Sequence, residues 1–321
     1  MTEKKVLVTG AMGQIGSELT RELRKRYGSE NVVATDIRKP EGKLAESGHC
    51  DVLDVTDRAA VFALIREYGI NTIYHMAAIL SATGEKHPAL CWNVNMNGSI
   101  NIMDAAVELD LGTIIIPSSI AAFGPETPRF NTPQETILKP KTMYGVTKVC
   151  GELLGDYYVK HLGADIRGLR YPGIISSETL PGGGTTDYAV DIFYKAVEDG
   201  RYTCFVKEET MLPMMYMPDC IKATMDLAEA DKDKLIHACE YNLSALSFTA
   251  GDLAAEIRKH VPGFEVTYEP DFRQAIADTW PASIDDSAAR EEWGWAPDWD
   301  LENTVRDMLE KLRAGTLLSN S

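Results

Sequence analysis

The stretch Val-Leu-Val-Thr-Gly-Ala-Met-Gly-Gln-Ile-Gly, residues 6–16, decides the fold of this chain. An apolar, β-prone run ends at Gly10, and Gly13 and Gly16 follow at three-residue spacing. A tight turn from strand to helix needs a residue without a Cβ, and a bound pyrophosphate needs bare backbone within hydrogen-bond reach. The start of the following helix offers unpaired N–H groups to an anion. The stretch therefore predicts a strand, a phosphate-binding turn and a helix.

An acidic residue, Asp36, follows the next apolar run, 31–35, twenty residues after Gly16. A carboxylate at this point accepts hydrogen bonds from an adenosine ribose and repels the 2′-phosphate of NADP, which favours NAD. Arg38 lies close by, and its guanidinium could pair with that phosphate, so NADP stays open here. A glycine triplet alone could be an ordinary tight turn, but together with Asp36 it predicts a dinucleotide site.

Strand-like and helix-like patterns alternate through the first half of the chain. Such alternation implies parallel pairing through right-handed crossovers. We therefore predict an α/β fold with a doubly wound parallel sheet, a Rossmann architecture, over residues 1–170. The predicted strands are 6–9, 31–35, 49–53, 72–77, 113–117 and 164–169, and the predicted helices are 14–27, 57–68, 88–109 and 142–161.

The composition and the pattern of apolar residues change after residue 170. Residues 171–186 contain two prolines and three consecutive glycines, which predicts a long loop that could close over a ligand. Residues 171–321 are predicted to form mostly a smaller mixed α/β lobe that binds substrate, with a segment at about 205–243 returning to the first domain. By the switch-point rule, ligands are expected at the carboxyl ends of the strands, between the two lobes.

Composition narrows the classes of partner. The net charge of −16 argues against nucleic acid and against anionic membrane surfaces. No apolar run approaches the ~18 residues needed to span a bilayer, so we expect no membrane partner. The six cysteines are scattered without a C-x-x-C motif, and we expect reduced thiols and no metal site. The first strand begins by Lys5, which leaves no room for a targeting peptide, so we expect a cytoplasmic protein.

A second constellation is the pair Tyr144 and Lys148, one helical turn apart. A nearby ammonium favours the phenolate, so the tyrosine, whose pKa is ordinarily about 10, could act as a base nearer neutral pH. Ser118 and Ser119 end the strand 113–117, where a hydroxyl faces the ligand crevice. Each of these features alone has a plainer interpretation, as surface side chains or as turn serines.

Taken together, the motifs resemble the extended short-chain dehydrogenase/reductase superfamily. The residues that carry the resemblance are Gly10, Gly13, Gly16, Asp36, Ser119, Tyr144, Lys148 and the Arg170-Tyr-Pro turn after the sixth predicted strand. Within the superfamily, several stretches are similar to the zinc-independent L-threonine 3-dehydrogenases. These stretches are Met76-Ala-Ala-Ile-Leu-Ser-Ala-Thr-Gly-Glu-Lys, Pro117-Ser-Ser-Ile-Ala-Ala-Phe-Gly-Pro, Gly182-Gly-Gly-Thr-Thr-Asp-Tyr-Ala, Trp280-Pro-Ala-Ser-Ile-Asp-Asp-Ser and Trp293-Gly-Trp.

The resemblance implies a role for each matching residue. Tyr144 would be the general base, Lys148 its partner and ribose clamp, and Ser119 the hydroxyl donor. The implied NAD contacts are Gly10, Gly13, Gln14, Ile15, Gly16, Asp36, Asp54, Val55, Ala77, Ala78, Leu80, Tyr144 and Lys148. The implied substrate contacts are Ser81, Ser118, Ser119, Tyr144, Thr185, Thr186 and Trp280.

Several of these residues have plainer interpretations that stay open in the sequence. Thr185 or Thr186 could cap a helix beginning at Asp187, Asp54 could form a capped turn, and Trp280 could be ordinary lobe packing.

The activity implied by the resemblance is NAD-dependent, metal-independent oxidation of the β-hydroxyl of L-threonine to 2-amino-3-oxobutyrate, a step of threonine catabolism. One alternative is a nucleotide-sugar 4-epimerase or dehydratase of the same superfamily, although the second lobe shows no obvious basic cluster for a diphosphate. Another is a non-catalytic NAD-sensing regulator, which would not need tyrosine, lysine and serine together. The helices 88–109 and 142–161 resemble those that pair in dimers of this superfamily, so we expect a homodimer.

Overall fold

The computed structural model describes residues 3–180 and 182–319. The strands are β1 Val6–Thr9, β2 Val32–Asp36, β3 Cys50–Val52, β4 Thr72–His75, β5 Thr113–Ile115, β6 Ser118–Ser119, β7 Asp165–Arg167, β8 Leu169–Tyr171, β9 Gly173–Ile175, β10 Arg201–Cys204, β11 Met211–Tyr216, β12 Tyr241–Asn242, β13 Leu246–Thr249 and β14 Glu265–Tyr268. The helices are α1 Gln14–Tyr27, α2 Gly42–Glu46, α3 Arg58–Tyr68, α4 Ser81–Lys86, α5 Pro88–Trp92, α6 Gly98–Glu108, α7 Met143–Leu162, α8 Tyr188–Glu198, α9 Met217–Glu229, α10 Ala250–His260, α11 Phe272–Ala277, α12 Ser287–Trp293 and α13 Leu301–Ser319.

The central sheet has six strands in the order β3-β2-β1-β4-β5-β7, and every neighbouring pair is parallel. In this register Val6 of β1 lies beside Val32 on one side and Thr72 on the other. The strand order reverses at β1, between β2 and β4, and this reversal opens a crevice at the carboxyl ends of the strands. The predicted α/β fold with a doubly wound parallel sheet is confirmed.

Smaller sheets extend the central one. Strands β12, β8 and β6 form a parallel sheet, β13, β11 and β9 form a mixed one, and β10 pairs with β14. Gly168 separates β7 from β8, and a Cβ on it would lie 2.2 Å from the Cys239 carbonyl oxygen. Glycine therefore allows the backbone of residues 238–240 to pack against this bend. The predicted domain boundary at residue 170 stays a prediction.

Three buried apolar clusters hold these layers together. Alternate residues of β1 face opposite sides of the sheet: Leu7 packs into a cluster with α3 and α6, whereas Val6 packs with α1 and α9. A third cluster lies in the C-terminal lobe among α8, α10 and α13, and includes Phe193. Within the described part of the chain, no helix is long and apolar enough to cross a membrane.

The predicted helix 88–109 is interrupted in the structure. Between α5 and α6 the chain makes a π-helical turn, Asn93–Asn97. Within it, the Asn95 side chain accepts a hydrogen bond from the Ile79 backbone N–H (2.8 Å) and donates one to the Thr147 hydroxyl (3.1 Å). Apolar spacing predicts a helix here but does not reveal a π turn that serves one polar side chain.

The predicted loop 171–186 also differs, because it contains β9. Two helices begin at side-chain caps. The Asp57 carboxylate caps α3 by accepting from the Ala60 N–H (3.0 Å). Thr249 and Asp252 form a reciprocal capping box at α10. Caps follow local sequence, whereas strand extent depends on a partner strand that lies far away in the chain.

Candidate active site

The glycine turn after β1 is closely packed. Gly10 has φ +64°, and a Cβ on it would lie 2.6 Å from the Ala77 backbone nitrogen. A Cβ on Gly16 would lie 2.2 Å from the Gly10 carbonyl oxygen. The N-cap of α1 is Gly13, which makes no side-chain cap hydrogen bond. Bare backbone and the uncapped helix start suit a pyrophosphate, so the turn fits a dinucleotide.

Asp36 ends β2 beside this turn. Its carboxylate accepts hydrogen bonds from the backbone N–H groups of Met12 (3.0 Å) and Arg38 (3.2 Å). The Arg38 Nε lies 3.7 Å from the same carboxylate, although the Arg38 side chain is 70% exposed. The carboxylate thus ties the glycine turn to β2 and pairs with the guanidinium that could otherwise meet a 2′-phosphate.

The segment predicted to bracket adenine forms a local turn. The Asp54 carboxylate accepts from the Thr56 N–H (2.9 Å) and the Thr56 hydroxyl (2.7 Å), which agrees with the capped-turn interpretation. Val55 is buried, and its carbonyl oxygen accepts from Asn101 (2.9 Å). Their contact with adenine stays a prediction.

A cleft opens at the carboxyl ends of β1, β4 and β5, where the sequence placed the site. The predicted residues that line it are Gly10, Gly13, Gln14, Ile15, Gly16, Ala78, Leu80, Ser81, Ser118, Ser119, Tyr144, Lys148, Thr185, Thr186 and Trp280. The predicted residues outside this lining are Asp36, Asp54, Val55 and Ala77. The structure thus brings the glycine turn, the tyrosine–lysine pair and the later stretches into one cleft.

Helix α7 carries Tyr144 and Lys148 on one face. Thr142 caps the helix by accepting from the Gly145 N–H at 3.0 Å. The Lys148 ammonium donates a hydrogen bond of 2.6 Å to the Pro117 carbonyl oxygen and lies 5.4 Å from the centre of the Tyr144 ring. Ser119 lies close enough to Tyr144 to act on the pKa of its phenol.

The electrostatics of this pair depend on burial as well as on charge. Burial raises the pKa of Tyr144 to about 12, although nearby Ser119 acts in the opposite direction. Burial also lowers the pKa of Lys148 to about 8. Burial thus acts against the predicted lowering of the Tyr144 pKa by Lys148, because loss of solvent disfavours the charged phenolate. The role of Lys148 in favouring the phenolate stays a prediction.

The substrate side of the cleft is made by segments far apart in the chain. The hydroxyls of Ser81, the first residue of α4, and Thr185 lie 3.3 Å apart, and both residues are buried. The N-cap residue of α8 is Asp187, and no side-chain hydrogen bond caps this helix. Thr185 and Thr186 therefore do not cap it, contrary to the plainer interpretation of the sequence. Trp280 is 6% exposed and belongs both to the apolar cluster of the C-terminal lobe and to the cleft lining.

Sequence reasoning missed Asp187. Its Oδ2 accepts hydrogen bonds from the N–H groups of Gly183 (2.9 Å) and Gly184 (2.7 Å), so the carboxylate folds the glycine loop onto the start of α8. Burial raises the pKa of the Asp187 carboxyl group. Among the described residues that line the cleft, Asp187 is the only carboxylate. Its place next to the Gly-Gly-Gly-Thr-Thr stretch was the available signal.

His75, the last residue of β4, was also missed. It is 3% exposed, its Nδ1 lies 2.8 Å from the Thr9 hydroxyl, and burial lowers its pKa to about 3. A neutral histidine thus links the ends of β1 and β4 beside Lys148. The other cleft residues absent from the prediction are Met76, Pro117, Ile120, Tyr171, Pro172, Gly173, Ile174 and Gly184. For three of them the available signal was position at the carboxyl end of a strand, since Tyr171 ends β8 and Met76 and Pro172 directly follow β4 and β8.

Across residues 3–180 and 182–319, no group of three or more His, Cys, Asp or Glu side chains is arranged to hold a metal ion.

The glycine turn, the parallel sheet and the tyrosine–lysine–serine set define a dinucleotide-dependent enzyme of the short-chain dehydrogenase type. The model of the NAD dependent epimerase/dehydratase family matches residues 6–243, and the chain belongs to this family. The predicted superfamily and the predicted cofactor, NAD, are confirmed.

The chain is similar to several proteins over nearly its whole length. The X-ray structure of an L-threonine dehydrogenase from Clostridium difficile has a TM-score of 0.96 and 50% identity, covering 98% of this chain and 99% of that one. A monomeric L-threonine 3-dehydrogenase from a metagenome database, in its apo form, has a TM-score of 0.93 and 48% identity, covering 96% and 99%. An epimerase/dehydratase of Staphylococcus haemolyticus is 50% identical over 311 residues, 96% of this chain and 98% of the relative.

Proposed function

We propose that this enzyme oxidises the β-hydroxyl of L-threonine with NAD, giving 2-amino-3-oxobutyrate and NADH. The observation that supports the proposal is the cleft itself, whose lining includes the glycine turn, Tyr144, Ser119 and Asp187. The similarity to L-threonine dehydrogenases over nearly the whole chain supports the same substrate.

In this reaction the Tyr144 phenolate takes the proton of the substrate hydroxyl, and the Ser119 hydroxyl donates a hydrogen bond to the same oxygen. NAD, when bound, would supply the acceptor for the hydride of the β-carbon. Burial raises the pKa of Tyr144 to about 12, so a cation bound close by is needed to favour the phenolate. The oxidised nicotinamide carries such a positive charge. We therefore infer that Tyr144 becomes an effective base in the NAD complex.

The glycine turn and the cleft indicate which residues would hold NAD. The backbone at Gly13 and at the start of α1 would bind the pyrophosphate, Asp36 the adenosine ribose, and the Lys148 ammonium the nicotinamide ribose. Because the Lys148 ammonium donates to the Pro117 carbonyl oxygen, it is already oriented along the cleft wall. The proposed reaction uses no metal, because Tyr144 and Ser119 polarise the substrate oxygen.

The charged ends of L-threonine have matching groups in the cleft. Asp187 is the only carboxylate among the described lining residues, and it would pair with the α-ammonium. The hydroxyls of Ser81, Thr185 and Thr186 would donate hydrogen bonds to the α-carboxylate. Because the α-ammonium and the α-carboxylate of L-threonine would both be held, the β-carbon would be oriented towards the nicotinamide.

We also infer a homodimer that forms through α5 and α7. These helices carry exposed apolar side chains, among them Leu90, Trp92, Leu153 and Tyr157. A second copy of the chain would cover this face, although one relative of similar length is described as monomeric. Cytoplasmic location stays a prediction.

The test of the proposed function is NADH formation from L-threonine and NAD, measured with and without a chelator. We expect equal turnover in both samples. Loss of turnover with chelator would contradict the metal-free mechanism. Turnover of a UDP-sugar without L-threonine oxidation would favour the 4-epimerase or dehydratase alternative, and NAD binding without either activity would favour the regulator.

Asp187→Asn tests the contact with the substrate ammonium. We expect the KM for L-threonine to rise at least about tenfold, because a charge-assisted hydrogen bond is lost, with little change in the Kd of NAD. The matched control is Asp191→Asn, which neutralises a partly buried carboxylate one turn further along α8 and outside the cleft lining. Equal KM values for the two variants would rule out the assigned role.

A further inference from the structure

Helix α7 carries a third polar side chain in line with Tyr144 and Lys148. Glu152 follows Lys148 by four residues, so the three side chains occupy successive turns of one helix face. Glu152 is 6% exposed, and its partner Arg170 is 3% exposed. Burying a carboxylate is costly unless it is paired and fully hydrogen-bonded. The buried Glu152 carboxylate therefore requires hydrogen-bond and ion-pair partners.

The Glu152 carboxylate has three donors. Its Oε1 accepts from the Ser118 hydroxyl and from the Arg170 Nε (2.9 Å), and its Oε2 accepts from the Arg170 Nη2 (2.8 Å). The remaining Arg170 nitrogen, Nη1, donates to the Gln134 carbonyl oxygen and to the Asn242 side chain, both at 3.1 Å. Arg170 thereby makes four hydrogen bonds to three residues and presents a fixed pair of donors to Glu152. Glu152 in turn is rigid enough to fix the side chain of Ser118.

The strand end 117–119 is held by the same helix face at each of its residues. Two of these contacts are hydrogen bonds, from Lys148 to the Pro117 carbonyl oxygen and from Ser118 to Glu152. In the third pair, Ser119 lies close enough to Tyr144 to lower the pKa of its phenol. In the pair of Ser118 and Glu152, Ser118 lines the cleft and Glu152 is not among its lining residues. The outer two pairs contain the proposed base, its serine partner and the lysine.

We propose that Glu152 is a positioning residue, which acts through the Ser118 hydroxyl to hold Ser119 and Pro117 in place against Tyr144 and Lys148. The inference rests on the proposed function, because it assigns Tyr144 and Ser119 to proton transfer. It also assigns the Ser118 hydroxyl to Glu152 and not to the substrate. Since a misplacement of about 1 Å can cost about a hundredfold in rate, a rigid support for Ser119 matters to the chemical step.

A second contribution of Glu152 is electrostatic. Its negative charge raises the pKa of Lys148, against the larger lowering by burial. The lysine therefore keeps more of its charge beside Pro117 than burial alone would allow.

The decisive variant is Ser118→Ala. It removes the hydrogen bond between the Ser118 hydroxyl and Glu152, and it leaves the Glu152–Arg170 ion pair and every charge in place. We expect kcat for L-threonine to fall at least about tenfold, with KM and the Kd of NAD unchanged within about twofold. We also expect a larger kinetic isotope effect with substrate deuterated at the β-carbon, because hydride transfer becomes slower. Glu152→Gln should change kcat and the isotope effect in the same direction.

A matched control separates positioning from simple stability. Asp165→Asn breaks another carboxylate–arginine pair, in which Arg167 is 4% exposed and lies outside the cleft lining. We expect a lower Tm, with the kcat and isotope effect of the wild type. If Glu152→Gln and Ser118→Ala also lower only the Tm, the inference is wrong. A raised KM with unchanged kcat in Ser118→Ala would instead mean that Ser118 contacts the substrate, which also overturns it.

The test remains informative if the wild type does not oxidise L-threonine, an outcome that refutes the proposed function alone. Crystal structures of the NAD complexes of the wild type and Ser118→Ala then decide the inference. We expect the Ser119 Oγ to move away from the Tyr144 hydroxyl by about 1 Å or more in the variant. An unchanged distance between these two atoms would overturn the positioning role.

Discussion

The hydroxyls of Ser81 and Thr185 lie 3.3 Å apart, although 104 residues separate them in the chain. Ser81 begins α4, and Thr185 belongs to the glycine-rich segment that precedes α8. Both side chains are buried and both line the cleft. The pair therefore joins the two halves of the molecule at the place where the substrate carboxylate is proposed to bind.

Removal of either hydroxyl should weaken the binding of L-threonine. We expect Ser81→Ala and Thr185→Ala each to raise KM about tenfold, because a hydrogen bond to a charged group contributes about 1.5–3 kcal/mol. The double variant should raise KM by less than the product of the two effects, since the hydroxyls also bind each other. Steady-state kinetics on the four proteins measures this coupling. Ser247→Ala, an exposed position on β13, is the control, and strictly multiplicative effects would contradict the pairing.

Loss of the Tyr144 hydroxyl should nearly abolish turnover. We expect Tyr144→Phe to lower kcat about 10²–10⁴-fold while the Kd of NAD stays close to that of the wild type. In the wild type, kcat/KM should increase with pH, because the base acts only when deprotonated and burial raises the pKa of Tyr144 to about 12. Tyr157→Phe removes an exposed hydroxyl from the same helix and should leave the rate unchanged. A rate that falls as the pH rises from about 6 to about 9 would exclude a phenolate base.

Replacement of Asp36 should relax the choice of cofactor. Asp36→Ser removes a carboxylate that would repel a 2′-phosphate and frees the Arg38 guanidinium, whose Nε lies 3.7 Å away. We expect kcat/KM to rise for NADP and to fall for NAD, each by about tenfold or more. The ratio of the two values is the measurement. Asp51→Asn on the neighbouring strand β3 should not change that ratio, and an unchanged ratio in Asp36→Ser would reject its role.

A charge on the exposed face of α7 should prevent the proposed dimer. Leu153 is 67% exposed and shares this face with Tyr157. We expect the wild type to have twice the monomer mass by light scattering, and Leu153→Glu to have the monomer mass, because a charge would be buried without a partner. Ile236→Glu, at an exposed position before β12, should remain dimeric. A monomeric wild type would refute the dimer directly.

Stability should depend on pH through Glu240. Burial and the nearby Glu152 carboxylate raise the pKa of Glu240 from 4.5 to about 7. The folded protein then binds a proton that the unfolded chain has released, so the free energy of unfolding falls as pH rises from about 4.5 through about 7.

We expect Glu240→Gln to increase the free energy of unfolding by about 1–3 kcal/mol at about pH 8 and to have little effect at about pH 4. Urea denaturation at both pH values is the measurement, and Glu310→Gln, exposed on α13, is the control. A gain that is the same at the two pH values would contradict titration of Glu240.

The sequence alone determined the features that depend on spacing along one segment. The strand–turn–helix at Gly10, the carboxylate at Asp36, the turn-by-turn placement of Tyr144 and Lys148, and the parallel sheet all follow from local periodicity and backbone sterics. The Thr249 capping box is a further example, since its partners lie three residues apart. For this reason the class of cofactor and the candidate base could be predicted from the order of residues along the chain.

Only the tertiary structure decided what depends on burial and on distant partners. The pKa directions of Tyr144 and Lys148 follow from removal of solvent, which no spacing in the sequence reports. Asp187 became a candidate because the fold brings it into the cleft lining, and Glu152 because it contacts Ser118, 34 residues earlier in the chain. The glycine turn is the proposed cofactor site, and these long-range contacts set the groups that are proposed to bind the substrate.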